Sequence, residues 1–479
     1  MSRRRGRIIP WMLMLACLAQ AACGPSGPTE APPADRRPAD LLVFGGTLVT
    51  MDPQRRVIVN GAVAVVDGAI VAVGPAAEIA HLYDPARSVR AAPDDLVLPG
   101  LVNGHNHAPM TLLRGVADDL RLMDWLQNYI FPAEAAVVDR DFVRTGTELA
   151  ALEMIRSGTT TFADMYYFED EVAWVVRDAG LRGVLGETII DFPSPDAATV
   201  DDALAYAERY LQSWVDHPRI TAAVAPHAPY TCSPETLLRA AELARRYGAP
   251  LLIHVAETRD EVDQIRGDYG SSPVQHLEQI GFLGPDVVAA HAIWVDAADR
   301  ATLARRGVGA VHNPESNMKL ASGTMPLAEL RAAGVAIGLG TDGPASNNDL
   351  DMFGAISTAA LLHKHMAADP TALPATEALA LATIEGARAL GLDATIGSLE
   401  VGKRADLIIV DGSRPNLVPR FDPYSHLAYA TRGSDVKTTI VDGRILFEEG
   451  RFTTLDPQRI AAAARQAAER VRTAVARGP

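Results

Sequence analysis

The chain has 479 residues, of which 48% are apolar and 22% are charged, and its formal net charge is −15 at pH 7. This length accommodates one large domain and a smaller one, and the composition is that of a globular protein. The acidic balance argues against nucleic acid as a partner, because its phosphates would be repelled.

The N-terminus has the parts of an export signal. Four arginines within the first seven residues precede an apolar run from Ile8 to Ala22, and Cys23 follows. This order predicts a signal peptide over residues 1–22. The Ala-Ala-Cys ending resembles a bacterial lipobox with Cys23 as the lipidated residue, and a plain signal peptide is the alternative. We therefore expect an exported protein, either periplasmic or held at the membrane only through a lipid anchor.

The segments on either side of the central part of the chain indicate a small domain that is built from both ends of the sequence. Residues 23–40 are rich in Pro, Ala and charge, which predicts a disordered tether. Short β-branched runs punctuated by Gly occupy residues 41–95 and return in residues 396–455. We expect them to form one small β-sandwich. Helical spacing in residues 456–479 predicts a C-terminal helix.

Residues 96–395 alternate short apolar runs with amphipathic stretches. Helical patterns lie between the runs, for instance at Pro234–Tyr247 and Asp296–Arg306. Eight such units predict a parallel α/β barrel, the (β/α)₈ TIM-type fold. The eight runs are LVLPGLVNG, TTTFAD, GVLGETIID, ITAAVAPH, PLLIHVAE, VVAAHA, GAVHNP and AIGLGTD.

Polar side chains stand at the ends of these runs, which in such a barrel form the face that carries catalysis. Burying so many imidazoles and carboxylates at one edge is costly without a charge partner. A bound cation would supply that partner, so the pattern predicts a metal site. The residues at the run ends are His105, His107, Asp164, His227, His254, His291, His312, Asn313 and Asp342.

The predicted site favours a single metal ion. No Lys precedes Lys319, so a carbamylated Lys at the end of the fourth strand cannot bridge two ions. We predict one divalent cation bound by His105, His107, His254 and Asp342. Nitrogen and oxygen ligands with one open position suit Zn²⁺, and Fe²⁺ is also compatible.

Three side chains are predicted to carry the chemistry. A bound metal lowers the pKa of its water to around 7. Asp342 can take the water proton while His291 orients the resulting hydroxide, and Glu257 can carry a proton to a substrate nitrogen. The alternatives are a helix-start carboxylate for Glu257 and a core histidine for His291.

Six stretches of the chain resemble the amidohydrolase superfamily, and more narrowly the 5′-methylthioadenosine/S-adenosylhomocysteine deaminases. The resemblance covers the chain from Leu41 to about Phe452. It implies a metal-dependent deaminase of adenosine-type purine nucleosides, in which metal hydroxide attacks ring C6 and ammonia leaves. The stretches are PGLVNGHNHAPMTLLRGVADDL, APHAPYTCS, HVAE, HNPESNMKLASG, GTDGPASNNDLDMF and GSLEVGKRADL.

The resemblance also assigns residues. It implies the same four metal ligands and makes Glu257 the proton shuttle. Glu134 matches a residue that binds the ribose hydroxyls, although from the sequence alone we would place it at the surface. His227 matches a histidine that contacts the substrate. The substrate-binding set is thus Glu134, His227, Glu257 and Asp342.

Two departures from the family bear on the substrate. No Arg lies between Arg182 and Arg209, and Glu187 stands where an Arg could hold the homocysteine carboxylate. This favours adenosine or methylthioadenosine over S-adenosylhomocysteine. The export signal is the other departure, because the resembled enzymes normally act in the cytoplasm.

Two other functions stay open. An aminohydrolase or chlorohydrolase of triazines or other N-heterocycles would share the single-metal barrel, and Glu134 discriminates because a triazine has no ribose diol. A lipoprotein that binds nucleosides without turnover would be expected to lack Glu257 or a metal ligand, and all are present. We expect a small-molecule partner, a nucleoside or an N-heterocycle, and a homo-oligomer.

Overall fold

The computed structural model describes residues 36–476. The predicted signal peptide, Cys23 and residues 23–35 of the predicted tether lie outside this part of the chain. The tether prediction is wrong for residues 37–40, which form the start of a strand paired in parallel with residues 83–85. The ladder and the buried side chain of Ala39 supply order that the polar composition did not indicate.

The strands fall into three groups along the chain. The N-terminal group is β1 (Arg37–Val49), β2 (Val57–Val59), β3 (Gly61–Val66), β4 (Ala69–Pro75) and β5 (Tyr83–Pro99). The central group is β6 (Leu101–Asn106), β7 (Thr159–Tyr166), β8 (Arg182–Ile189), β9 (Ile220–Pro226), β10 (Leu251–Val255), β11 (Val287–His291), β12 (Gly309–His312) and β13 (Ala336–Leu339). The C-terminal group is β14 (Leu407–Val410), β15 (Val436–Val441), β16 (Arg444–Glu448) and β17 (Arg451–Phe452).

Most helices separate the central strands or precede them. In chain order they are α1 (Ala76–Ile79), α2 (Leu122–Trp125), α3 (Phe131–Val137), α4 (Arg140–Ser157), α5 (Glu169–Ala179), α6 (Val200–Trp214), α7 (Pro234–Tyr247), α8 (Arg259–Tyr269), α9 (Pro273–Gln279), α10 (Ala297–Arg306), α11 (Pro314–Lys319), α12 (Leu327–Ala333), α13 (Met352–Ala367), α14 (Ala375–Leu381), α15 (Ile384–Ala389), α16 (Pro423–Ser425) and α17 (Pro457–Ala476). Among the described residues, no helix is both long and apolar enough to cross a bilayer.

The central strands form the predicted barrel, in which each strand is parallel to the next in the order β6 to β13. The prediction of a (β/α)₈ barrel is confirmed. Helix α7 has the predicted bounds, and α10 begins one residue after the predicted start because Asp296 caps it, accepting from the amide of Asp299.

The barrel closes between its first and last strands through a short seam. The amide of Asp342 donates to the carbonyl of His105 at 3.0 Å, and the Asn103 side chain donates to the Thr341 hydroxyl and accepts from the Thr341 amide. Gly340 makes this approach possible, because a Cβ there would lie 2.8 Å from the His105 nitrogen.

The barrel begins at Leu101, whereas the sequence predicted its start at residue 96. Residues 96–99 pair with β14 and belong to β5. The apolar run is continuous in the sequence, but at Gly100 the chain leaves the sheet that contains β5 and enters the barrel. A Cβ at Gly100 would lie 2.1 Å from the hydroxyl of Thr160.

The terminal strands form one nine-stranded mixed sheet, so the predicted β-sandwich is a single sheet built from both ends of the chain. The sheet curls onto itself, since Ile70 on β4 and Ile440 on β15 pack in one core. At its border with the barrel, the buried guanidinium of Arg182 pairs with Asp406 at 2.9 Å and with Asp442 at 2.7 Å. The predicted C-terminal helix is α17.

Candidate active site

Four predicted ligands meet at the C-terminal end of the barrel. His105 lies on β6, His107 follows it, His254 lies on β10, and Asp342 follows β13. The Nε2 atom of His107 lies 3.3 Å from Asp342 Oδ1 and 3.3 Å from His254 Nε2. The Nε2 atom of His105 lies 3.5 Å from the same carboxylate oxygen. The predicted set is therefore brought together.

The hydrogen bonds of these imidazoles leave lone pairs pointing at one another. The Nδ1 atoms of His107 and His254 donate to the carbonyls of Met165 and His227, at 2.6 and 2.8 Å. Their Nε2 atoms are then acceptors, and the buried Nε2 of His105 has no hydrogen-bond partner in the described chain. Burial lowers the pKa of His105 to about 4, which keeps its lone pair free. This donor set fits a divalent cation.

His291 and Glu257 lie beside the cluster. The Nδ1 atom of His291 contacts Asn317 Oδ1 at 2.9 Å, while its Nε2 lies 3.7 Å from Glu257 Oε2. His291, His105 and Asp342 also form a group whose ligand atoms lie within 4.8 Å of one another. His291 and Asp342 have positive φ angles of 70° and 64°. Such backbone strain is typical of functional sites.

A buried carboxylate holds the turn that carries Glu257. Glu261 accepts from the amides of Ala256 and Glu257 at 2.7 and 2.8 Å. The Glu257 side chain itself is buried, with Ser322 Oγ at 3.5 Å. Burial, together with the charge of nearby Asp342, raises the pKa of Glu257 well above its ordinary value. A carboxyl group in this setting can carry a proton.

The cluster opens into a cavity that is lined by residues of the barrel and of the segments that follow its strands. One wall is apolar and comes from the segment between β6 and α4. Among the described residues that line the cavity, none is Arg or Lys. The apolar wall is formed by Leu122, Trp125, Leu126, Ile130 and Phe131.

Glu134 and His227 line the same cavity. Glu134 lies on α3 and is only 4% exposed, so the surface position expected from the sequence alone is wrong. Its Oε1 atom accepts from the Tyr166 hydroxyl at 2.7 Å. His227 follows β9, and its Nδ1 atom lies 2.9 Å from Thr231 Oγ1.

The family of the chain is shown by comparison with known proteins. A model of the amidohydrolase family matches residues 96–446. The chain belongs to the amidohydrolase family. The predicted resemblance is thereby confirmed, and with the imidazole cluster it identifies a metal-dependent amidohydrolase.

Relatives of this amidohydrolase align over most of its length. The 5-methylthioadenosine/S-adenosylhomocysteine deaminase of Syntrophobacter fumaroxidans is 51% identical, covering 87% of this chain and 95% of that protein. The 5′-deoxyadenosine deaminase of Methanosarcina mazei is 47% identical, covering 90% and 98%. The crystal structure of a Xanthomonas campestris adenosine deaminase with bound zinc is 44% identical, with a TM-score of 0.89, covering 91% and 100%.

Three of the polar residues at the ends of the predicted apolar runs do not line the cavity. Asp164 accepts from the amide of Ala108 at 2.6 Å and so holds the turn after His107. His312 instead contacts His363 on α13, with 3.1 Å between their Nε2 atoms. Asn313 lies beside His291, at 3.4 Å from its Nδ1 atom.

Several supporting residues were missed by the sequence reasoning. Ser316 donates to Asp342 Oδ2 at 2.6 Å, and Asn317 orients His291. Both lie in the stretch HNPESNMKLASG, which offered a signal. Glu261 and Tyr166 offered none, since a helical Glu and an aromatic residue in a buried strand are ordinary features.

Proposed function

We propose that this amidohydrolase removes the 6-amino group of adenosine-type nucleosides as ammonia. The observation that carries the proposal is the buried carboxylate of Glu134 in the same cavity as the imidazole cluster. A carboxylate without a cationic partner in an otherwise apolar wall suits a vicinal diol, which donates two hydrogen bonds. The three relatives described above are all named as deaminases of adenosine-type compounds.

The metal site fits one divalent ion per chain, which we propose to be Zn²⁺, with Fe²⁺ also compatible. Held by His105, His107, His254 and Asp342, it would polarise the attacking water and lower its pKa to around 7. The chain itself handles the protons. Asp342 accepts from the attacking water, and His291 orients it.

Glu257 serves the purine ring. Its carboxyl group lies 3.7 Å from His291 Nε2 and lines the cavity. The raised pKa of Glu257 favours the protonated form, which can donate to a ring nitrogen next to C6. The ring nitrogen keeps this proton in the product. The proton that Asp342 accepts from the water passes to the departing amino group, and the proton of the new C6 hydroxyl returns to Glu257. His227, which lines the same cavity with its ring centroid 4.8 Å from that of His254, contacts the purine.

The cavity favours an uncharged 5′ substituent. The apolar wall offers contacts to a methyl, methylthio or hydroxymethyl group, and no Arg or Lys among the described lining residues could pair with a carboxylate. Glu187 is not one of the residues that line the cavity, and its side chain instead accepts from the amide of Glu169 at 2.9 Å. We therefore propose adenosine, 5′-deoxyadenosine or methylthioadenosine over S-adenosylhomocysteine.

We also propose that the enzyme acts outside the cytoplasm, as a periplasmic protein or a lipoprotein anchored at Cys23. Support comes from the order of basic residues, apolar run and Ala-Ala-Cys in the N-terminal sequence. A homo-oligomeric state is a further expectation.

The test measures ammonia release by the metal-loaded enzyme with adenosine, methylthioadenosine, S-adenosylhomocysteine, 2′,3′-dideoxyadenosine and a chlorotriazine. We expect turnover of the first two, at least tenfold lower kcat/KM without the diol, and the weakest turnover of the homocysteine adduct among the ribosides. Faster reaction of the triazine than of any nucleoside would replace the proposal with the N-heterocycle alternative.

A further inference from the structure

Tyr166 ends the barrel strand β7 and contacts the side chain proposed to bind ribose. Its hydroxyl donates to Glu134 Oε1 at 2.7 Å, and both side chains are buried. Within the described residues, this is the only hydrogen bond to the Glu134 carboxylate. The second oxygen of Glu134 is therefore left for a ligand in the cavity.

The C-terminal end of β7 contacts both parts of the site, the histidine cluster and the Glu134 carboxylate. The carbonyl of Met165 accepts from His107 Nδ1 at 2.6 Å, and the next residue, Tyr166, holds Glu134. All residues of β7 are buried. Glu134, in contrast, lies on α3, outside the barrel. The hydrogen bond from Tyr166 thus sets the distance between the diol-binding carboxylate and the metal ligands.

The bond also favours the charged form of the carboxylate. Burial raises the pKa of Glu134 to about 7, and the hydrogen bond from Tyr166 opposes that rise. An ionised carboxylate accepts from both hydroxyls of a diol, whereas a protonated one must use an oxygen as a donor. Since no Arg or Lys lines the cavity in the described chain, the hydroxyl of Tyr166 is the nearest group that supports the charge.

We propose that Tyr166 is a positioning residue for substrate selection, whose hydroxyl fixes the Glu134 carboxylate so that its free oxygen accepts from the vicinal ribose hydroxyls. The inference rests on the proposed function. It predicts that the preference for substrates with a 2′,3′-diol depends on Tyr166 as well as on Glu134.

The test compares Tyr166→Phe with wild type on adenosine and on 2′,3′-dideoxyadenosine. Losing a hydrogen bond to a charged group weakens binding by roughly 10- to 100-fold. We expect kcat/KM for adenosine to fall by about that factor, mainly through a higher KM, with kcat/KM for dideoxyadenosine within about twofold of wild type. Tyr210→Phe is the matched control, because its buried hydroxyl donates to the Leu185 carbonyl at 3.0 Å away from the cavity.

A second variant separates positioning from folding. In a Glu134→Ala background, Tyr166→Phe should have no further effect on either substrate, because the hydroxyl acts through the carboxylate. Equal losses on both substrates, a full additional loss in that background, or no loss at all would each overturn the inference. If wild type itself does not discriminate between the two nucleosides, the proposed diol recognition fails, and the role of Tyr166 fails with it.

Discussion

Replacing Glu134 with Gln should make the enzyme more stable at neutral pH while weakening diol binding. Burial raises the pKa of Glu134 from 4.5 to about 7, although the hydrogen bond from Tyr166 acts in the opposite direction. Well below pH 4.5 the carboxyl is protonated in both folded and unfolded chains, so wild type and variant should be equally stable. As pH rises, the unfolded chain releases this proton first, and wild type loses stability relative to the variant.

The size of this effect follows from the shift. A difference of about 2.5 pKa units corresponds to roughly 3 kcal/mol, since one unit is about 1.4 kcal/mol. The stability advantage of Glu134→Gln should therefore grow from about 1 kcal/mol near pH 5 to about 3 kcal/mol near pH 8. Gln keeps the acceptor for the Tyr166 hydroxyl, so the cavity wall should be preserved.

Denaturant unfolding of both proteins, loaded with the same metal, across this pH range measures the difference. Glu235→Gln, at an exposed position in the first turn of α7, controls for the loss of one surface charge. A difference between wild type and Glu134→Gln that does not change with pH would show that burial does not penalise the ionised carboxylate.

Metal analysis of the purified enzyme should return one divalent ion per chain, and two stoichiometric ions would contradict the four-ligand site. Glu257→Gln should keep that ion and lose roughly 10²–10⁴-fold in kcat, whereas near-normal turnover would place the proton carrier elsewhere. Arg182→Met should lower the free energy of unfolding by about 3–5 kcal/mol with little change in KM, because it leaves Asp406 buried without its cationic partner, whereas Asp442 keeps Arg404 at 2.6 Å; a loss below about 1 kcal/mol would show that the Asp406 carboxylate is solvated. Wild type should fractionate with membranes and Cys23→Ser should not, while soluble, unmodified wild type would reject lipidation.

The clustering of the proposed metal ligands could be predicted because their positions follow from the topology. In a parallel barrel, the strand ends meet at one face, so His105, His254 and Asp342 had to converge whatever the helices did. The direction of a side chain at a strand end is harder to predict. His291 and His312 both end strands, yet one faces the cluster and the other faces α13. A shift of one residue at a strand end reverses the side chain, and sequence patterns do not locate strand ends to one residue.

Contacts between distant segments were beyond the sequence reasoning. The burial of Glu134 depends on how α3 packs over the barrel, and only the family resemblance indicated it. Its partner Tyr166 lies 32 residues away in the chain. Likewise, the division of the run LVLPGLVNG between two sheets depends on the contact of Gly100 with Thr160, which the periodicity of the run cannot show.

The seam between β6 and β13 has a consequence for the order of assembly. His105 belongs to the first barrel strand and Asp342 follows the last, and the backbone bond between them closes the barrel. A partly folded chain that lacks the final strand can therefore offer only the histidine ligands. Full coordination of the proposed ion would become available only once the two ends of the barrel sequence have met, so metal binding would mark completed folding. Bound there, an ion would also join the two ends of a loop of more than two hundred residues, and opening the barrel would first require its release.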